Sequence, residues 1–263
     1  MRIYIITMDD PVQTYDFIKD VIDERESDIV GLAVPNGDRL TLSKGKSKYE
    51  YILSLFLIMG PYYFVKNSWK AIRHKILKKM SKLGLVKDPT IIYYANKKGI
   101  ETKVIKSPNN EEFREYLKTL NLDIIINQSQ SFIKKELLEI PKIGVLNRHN
   151  ALLPKNRGRL TPFWVLFNQE IRTGVSIHFV EESLDSGDII VQKEYEVGKK
   201  DTFNSLVIKN YELASEAMIE ALSILEKKEY KLLDNDCSLA TYNTTPTLKE
   251  AMRYRFGKNK KSQ

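Results

Sequence analysis

A chain of 263 residues, 42% hydrophobic and 29% charged, carries enough apolar material for a sizeable core and is not an intrinsically disordered polymer. Its single cysteine, Cys237, excludes an intramolecular disulfide and any cysteine-rich zinc site, so a reducing cytoplasm is the expected compartment. The net charge of +8 admits an anionic partner without choosing among a phosphate-bearing substrate, a folate tail, nucleic acid and a membrane surface.

The opening MRIYIITMDD is an apolar strand that turns acidic at once, without the basic flank and small-residue cleavage site of an export signal. No glycine precedes Gly31, so the first strand-to-helix turn is neither a GxGxxG dinucleotide loop nor a Walker loop. The apolar runs RIYIITM, DIVGLAV, DIIIN and GVLNRH alternate with segments of helical period at 12–24 and 110–121. That alternation predicts βαβ units in a Rossmann-like α/β fold, a mostly parallel sheet with helices on both faces.

Residues 46–88 interrupt the pattern as a helical insertion. Its apolar half, YILSLFLIMGPYYFV, falls short of the roughly 20 residues that cross a bilayer and contains Gly60-Pro61. Its basic half, KNSWKAIRHKILKKMSK, surrounds His74 with lysines and predicts an exposed histidine. Farther on, TGVSIHFV and DIIVQKEYEV read as two strands separated by the turn-rich EESLDSG, and a long helix follows at about 203–228. Residues 229–263 read as a short strand, a turn, a terminal helix and a basic tail, too small for an independent domain. The expected organisation is therefore a catalytic domain over 1–228 with a C-terminal extension.

Asn147 and His149 lie two apart at the end of the GVLNRH strand, where alternation points both side chains to the same side. In open α/β sheets, ligands gather at the carboxyl ends of strands. Leu152-Leu153-Pro154 then turns the chain, and KNRG adds cations and the flexible Gly158 before a helix at about 161–169. Asp185, in the loop after SIHFV, reaches His149 if the strand holding His178 lies beside the strand holding Asn147. An amide donor, an imidazole and a carboxylate, with no nucleophilic Ser or Cys attached, suit proton management and oxyanion stabilisation, not covalent catalysis. Ser176 and His178 share one face of the next strand, where they either support the site or simply pack.

Two stretches, NRHNALLPKNRG and LDSGDII, at this separation resemble the folate-dependent formyltransferases, the family of the glycinamide ribonucleotide, methionyl-tRNA and nucleotide-sugar enzymes; the similarity runs from residue 1 to roughly residue 210. The resemblance implies a formyltransferase fold and 10-formyltetrahydrofolate as co-substrate, donating its formyl group to an amine. Asn147 and a protonated His149 would then stabilise the oxyanion, each donor being worth about 3 to 4 kcal/mol in the transition state. Asp185 would favour the charged imidazole and accept the proton lost by the amine, directly or through water. It also implies a pterin cleft walled by Phe132 and Ile133, with Glu182, Ser183, Leu184 and Asp185 at its polar edge. No metal is expected, because three scattered histidines without paired carboxylates make a poor ligand set.

The stretch RGRLTPFWVLFNQEIRTGVSIH is similar to the corresponding part of nucleotide-sugar formyltransferases. This implies a nucleotide-linked amino sugar as acceptor, with Arg157 and Arg159 on its phosphates. Against glycinamide ribonucleotide stands TMDDPVQTYD, where two carboxylates would repel a phosphate; against methionyl-tRNA stands the small number of residues after 228, too few for a tRNA-gripping barrel. Those acceptors, hydrolysis of formyl-folate, and a non-catalytic folate- or RNA-binding module are the alternatives. No stable nucleic acid partner is expected. A homodimer and a peripheral membrane contact through 48–84 remain open.

Overall fold

The computed structural model describes residues 1–36, 47–228 and 230–257. The start of the insertion and the basic tail after Gly257 lie outside the described residues. Five strands are parallel: β1 (Ile3–Thr7), β2 (Ile29–Pro35), β3 (Thr102–Ile105), β4 (Ile124–Gln128) and β5 (Gly144–His149). A two-residue strand β6 (Arg157–Gly158) precedes β7 (Arg172–Phe179) and β8 (Ile189–Glu196), which complete a seven-stranded sheet in the order β3-β2-β1-β4-β5-β7-β8. β7 is antiparallel to both of its neighbours.

Alternation along the strands sorts the core into two faces. Ile3 and Ile5, Ile124 and Ile126, Leu146, and Val175 and Ile177 meet α1 (Thr14–Glu24), α4 (Ile91–Lys97) and α8 (Phe203–Glu226). Tyr4 and Ile6, Ile125 and Val145 meet α5 (Glu111–Thr119) and α6 (Lys135–Leu138) on the other face. A period of two then places Asn147 and His149 with Val145, and Ser176 and His178 opposite Val175 and Ile177, on that second face. The strand that sequence patterning passes over, β3, is a short edge strand in which only Ile105 is buried. Its TKVI composition carries no sustained alternation.

The insertion forms α2 (Lys48–Met59) and α3 (Pro61–Ser81). Gly60 has φ +78, a left-handed turn that allows Pro61 to open the second helix directly. Ile58 packs with Phe163 of α7 (Thr161–Phe167), with Phe203 and with Ala251 of α9 (Leu248–Phe256), so the insertion and the C-terminal helix share a small core. His74 is buried, contrary to the exposed position expected from its lysine neighbours. Its Nε2 lies 3.1 Å from Asp9 Oδ1, and Lys78 Nζ lies 2.7 Å from Asp9 Oδ2. Burial alone would raise the Asp9 carboxyl, but hydrogen bonds from His74 and Lys78 outweigh it and hold the group below its usual range. One of the two carboxylates after β1 is therefore a clasp for α3.

Candidate active site

β5 and β7 pair so that Asn147 faces His178 and His149 faces Ser176 across the ladder. The loop after β7 folds back and presents Asp185, whose Oδ2 lies 3.5 Å from His149 Nδ1 and whose Oδ1 lies 3.8 Å from His178 Nε2. Asp185 thus joins Asn147 and His149 on the face of the sheet that alternation assigns to those two. Asp185 itself adopts φ +49, a left-handed conformation that Asp tolerates better than most residues, and its Oδ2 accepts a 2.8 Å bond from the Gly158 amide. Gly158, at φ +103, is required: a Cβ there would run into the carbonyl oxygen of Asn243.

A directed chain of hydrogen bonds orients Asn147. Arg148 can only donate, and its Nε bonds to Gln128 Oε1 at 3.0 Å, so the amide nitrogen of Gln128 faces Asn147 and donates to its Oδ1 at 2.9 Å. Asn147 Nδ2 is then turned to His178 Nε2, at 3.5 Å. His178 can accept there because its Nδ1–H donates to the Phe179 carbonyl at 2.7 Å. One N–H of Asn147 has no protein partner among the described residues. Arg148 is fixed on the opposite face by stacking over Phe17 and Tyr211.

The donor that starts this chain, Arg148, and its relay, Gln128, carry no motif in the sequence. Gln128→Glu is expected to reverse the Asn147 amide, because a carboxylate oxygen would face Asn147 Oδ1. A misdirected buried polar group costs about 1–3 kcal/mol, so kcat should fall by about tenfold to a hundredfold while KM for the formyl donor stays put. Steady-state kinetics checks this; a rise in KM with kcat unchanged would remove Gln128 from the positioning chain.

Burial pushes the His178 imidazole down to about 4, against the pull of Asp185 and with help from His149. Below its ordinary value of about 6.5 the unfolded chain binds a proton there that the folded chain refuses, so stability falls with pH from that point until the folded-state value near 4 is reached. His178→Gln should therefore flatten the melting temperature between about pH 6.5 and pH 4. An unchanged acid slope would assign that loss to other groups.

His149 is clamped at both ring nitrogens. Nε2–H donates to the Asn156 carbonyl at 2.7 Å, which leaves Nδ1 toward Asp185 as the atom able to take up a proton. The expectation that His149 donates directly to an oxyanion is revised accordingly. Asn156 is buried at φ +59, and its side chain bonds Glu170 and Asn243. Ser176 holds the turn after β5: its Oγ donates to Ala151 O at 2.7 Å and accepts from Leu153 N at 3.1 Å and Gln192 Nε2 at 3.0 Å.

Other expected residues separate. Phe132 is 62% exposed, while Ile133 is buried with Tyr4 and Leu137 and is not available as a cleft wall. Glu182, Ser183 and Leu184 are exposed in the Asp185 loop. Arg157 is the clearest correction: it is fully buried, with guanidinium bonds to Asn235 O at 3.0 Å, Asn235 Oδ1 at 2.8 Å, Tyr242 Oη at 3.0 Å and Cys237 Sγ at 3.4 Å. These partners belong to the C-terminal segment, where β9 (Tyr242–Asn243) pairs with β6. Asn235 Nδ2 in turn donates to the carbonyls of Asp185 and Gly187, so Arg157 braces the acid loop and does not face a substrate phosphate. Arg159 is exposed.

The Formyl transferase family model matches residues 77–222, which include Asn147, His149 and Asp185 and more than half of the chain. The chain belongs to the formyl transferase family. The methionyl-tRNA formyltransferase of Kosmotoga olearia is 36% identical over 163 residues, covering 62% of this chain and 52% of that protein. That of Thermotoga maritima is 40% identical over 138 residues, covering 52% and 44%. This formyl transferase family member spans about half the length of the curated relatives it matches. Among solved structures, glycinamide ribonucleotide transformylase 1 from Symbiobacterium toebii superposes with a TM-score of 0.60 at 15% identity, covering 90% of this chain and 94% of that one. The sugar 3N-formyl transferase WlaRD, solved in the presence of dTDP and 5-N-formyl-THF, gives 0.57 at 14% identity, covering 93% and 69%. At these identities the likeness is one of fold. Among the described residues, no helix is long and apolar enough to cross a membrane.

Proposed function

We propose that this chain transfers the formyl group of 10-formyltetrahydrofolate to a primary amine, and that the amine belongs to a nucleotide-linked amino sugar. The observation that carries the reading is the meeting of Asn147, His149 and Asp185, with one Asn147 N–H unspent among the described residues and His149 Nδ1 3.5 Å from Asp185 Oδ2. The donor supplies a formyl carbonyl. Asn147 offers its spare N–H to the negative charge that develops on the carbonyl oxygen. The His149–Asp185 pair takes the proton that the attacking amine must lose, and Asp185 offsets the charge this places on the ring. As the tetrahedral carbon collapses, its bond to N10 of the donor breaks and that proton passes to N10, which leaves as tetrahydrofolate. Gln128 and His178 keep the Asn147 amide in its donating orientation.

The donor's fit rests on the two segments that follow β5's neighbours in the sheet. Phe132, after β4, and Leu184, after β7, are both largely exposed apolar side chains, as suits the walls of a pterin cleft, with Glu182 and Ser183 beside Leu184 as polar edge. Arg159 is the exposed cation assigned to an acceptor phosphate.

The nucleotide sugar is favoured by the resemblance of residues 157–178 to the corresponding part of nucleotide-sugar formyltransferases. A second acceptor, methionyl-tRNA, is favoured by the names of the sequence relatives. The test is tetrahydrofolate release followed by absorbance, with amino-sugar nucleotides, methionyl-tRNA, glycinamide ribonucleotide and water each offered alone. Turnover with an amino-sugar nucleotide only is the expected result. Turnover confined to methionyl-tRNA or to glycinamide ribonucleotide replaces the acceptor, release with water alone makes the enzyme a hydrolase, and donor binding without release with any of them ends the catalytic reading.

A further inference from the structure

We propose that α3 docks in the plane of an anionic lipid bilayer, with Tyr62, Val65, Trp69, Ile72 and Ile76 turned to the acyl chains. The spacing of these residues, three and four apart in alternation, puts all five on one stripe of a helix. Their exposures of 68, 63, 61, 51 and 48% leave that stripe uncovered by the rest of the described protein. So large an apolar surface is unusual on a soluble chain.

The orientation of α3 is fixed from behind. His74 and Lys78 lie on the side of the helix opposite the stripe, at 3.1 and 2.7 Å from Asp9, so the stripe points away from the catalytic body. At 100° per residue, Lys66, Lys70 and Arg73 border the stripe on one side and Lys75 and Lys79 on the other. Such side chains bury their methylene stems beside an apolar surface and keep their charges at the headgroups. An indole at the centre of the stripe suits the same boundary.

The charge pattern selects the occupant. No acidic residue occurs between Glu50 and Asp88. A second copy of the chain would bring the cationic borders of two such helices together, and like charges oppose that pairing. Nucleic acid would satisfy the cations but would leave Val65, Ile72 and Ile76 without stacking or phosphate contacts. Anionic lipid answers both halves of the pattern. Because β1, β4 and β5 are parallel, the Asp9 clasp stands at the same sheet edge as Asn147 and His149, so docking would hold that edge near the bilayer.

The test is co-sedimentation of the full chain with vesicles of phosphatidylcholine alone and of equimolar phosphatidylcholine and phosphatidylglycerol. Trp69 emission is read in parallel and assigned with Trp69→Phe. The protein should pellet with the anionic vesicles and not with the neutral ones, and the indole emission should move to shorter wavelength. Trp69→Glu combined with Ile72→Glu should weaken binding at least about tenfold, and the triple change Lys66→Glu, Lys70→Glu, Arg73→Glu should remove the preference for anionic lipid. These side chains are exposed, so the melting temperature serves as the control for folding. Equal pelleting of parent and variants, or no pelleting with either vesicle, overturns the proposal. So does a dimer in sedimentation velocity that the paired Glu variant dissolves, or stripe-dependent binding to tRNA in place of vesicles.

Discussion

Asn147→Asp is expected to lower kcat by about 10²–10³ or more. The replacement keeps the shape of the side chain and still accepts from Gln128 Nε2, so the packing of β5 is preserved. It exchanges the amide nitrogen for an oxygen, and with it the N–H that would meet the developing oxyanion. It also adds negative charge beside His178 Nε2, which already lies 3.8 Å from Asp185 Oδ1. Asn147→Ala removes the donor without adding charge and should be the less damaged of the two. That order is the signature of an electrostatic donor. Burst and steady-state kinetics of tetrahydrofolate release measure it, and a kcat within about threefold of the parent for both variants would take Asn147 out of the chemistry.

Arg157→Ala should be the most destabilising substitution near the site. The guanidinium is fully buried, and its removal strands the buried carbonyl and carboxamide oxygens of Asn235 without their donor, besides releasing the exposed Tyr242. Leaving such groups unpaired in the interior costs about 3 kcal/mol, which lowers the melting temperature by roughly 5–10 °C in a chain of this size. Lysine should not rescue it, because an ammonium does not reproduce the planar fork that reaches Asn235 and Tyr242 together. Activity should fall as well, since Asn235 is what ties down the Asp185 and Gly187 carbonyls. The exposed Lys155→Ala, two residues away, is the control and should stay within about 0.5 kcal/mol of the parent. A melting temperature for Arg157→Ala equal to that of the control would overturn the bracing role.

Local pattern accounts for what was legible beforehand. Strand alternation in GVLNRH is enough to put Asn147 and His149 on one face, and the pairing of β5 with β7 then draws the Asp185 loop to the imidazole. The parallel strands and long helices follow from the change between periods of two and 3.6. What escaped depends on partners far along the chain. Arg157 reads as a surface cation because arginine is seldom fully buried, and its partners begin 78 residues later. His74 reads as one more exposed basic residue because Asp9 lies 65 positions earlier. Phe132 and Ile133 sit in an irregular segment where no periodicity says which side chain turns outward; the structure buries the isoleucine. Gln128 closes its strand with no motif around it, and only the three-dimensional route from Arg148 to Asn147 reveals its task.

The parallel pairing of β9 with β6 bears on how the protein comes into being. Asn156 and Arg157 donate their amides to Thr241, and Asn235 secures the acid loop, so the segment 235–243 completes a structure begun far upstream. A ribosome-bound chain that has already folded its sheet still lacks these supports until residue 243 has emerged. The supports of the Asp185 loop are therefore among the later contacts that a chain growing from its N-terminus can make.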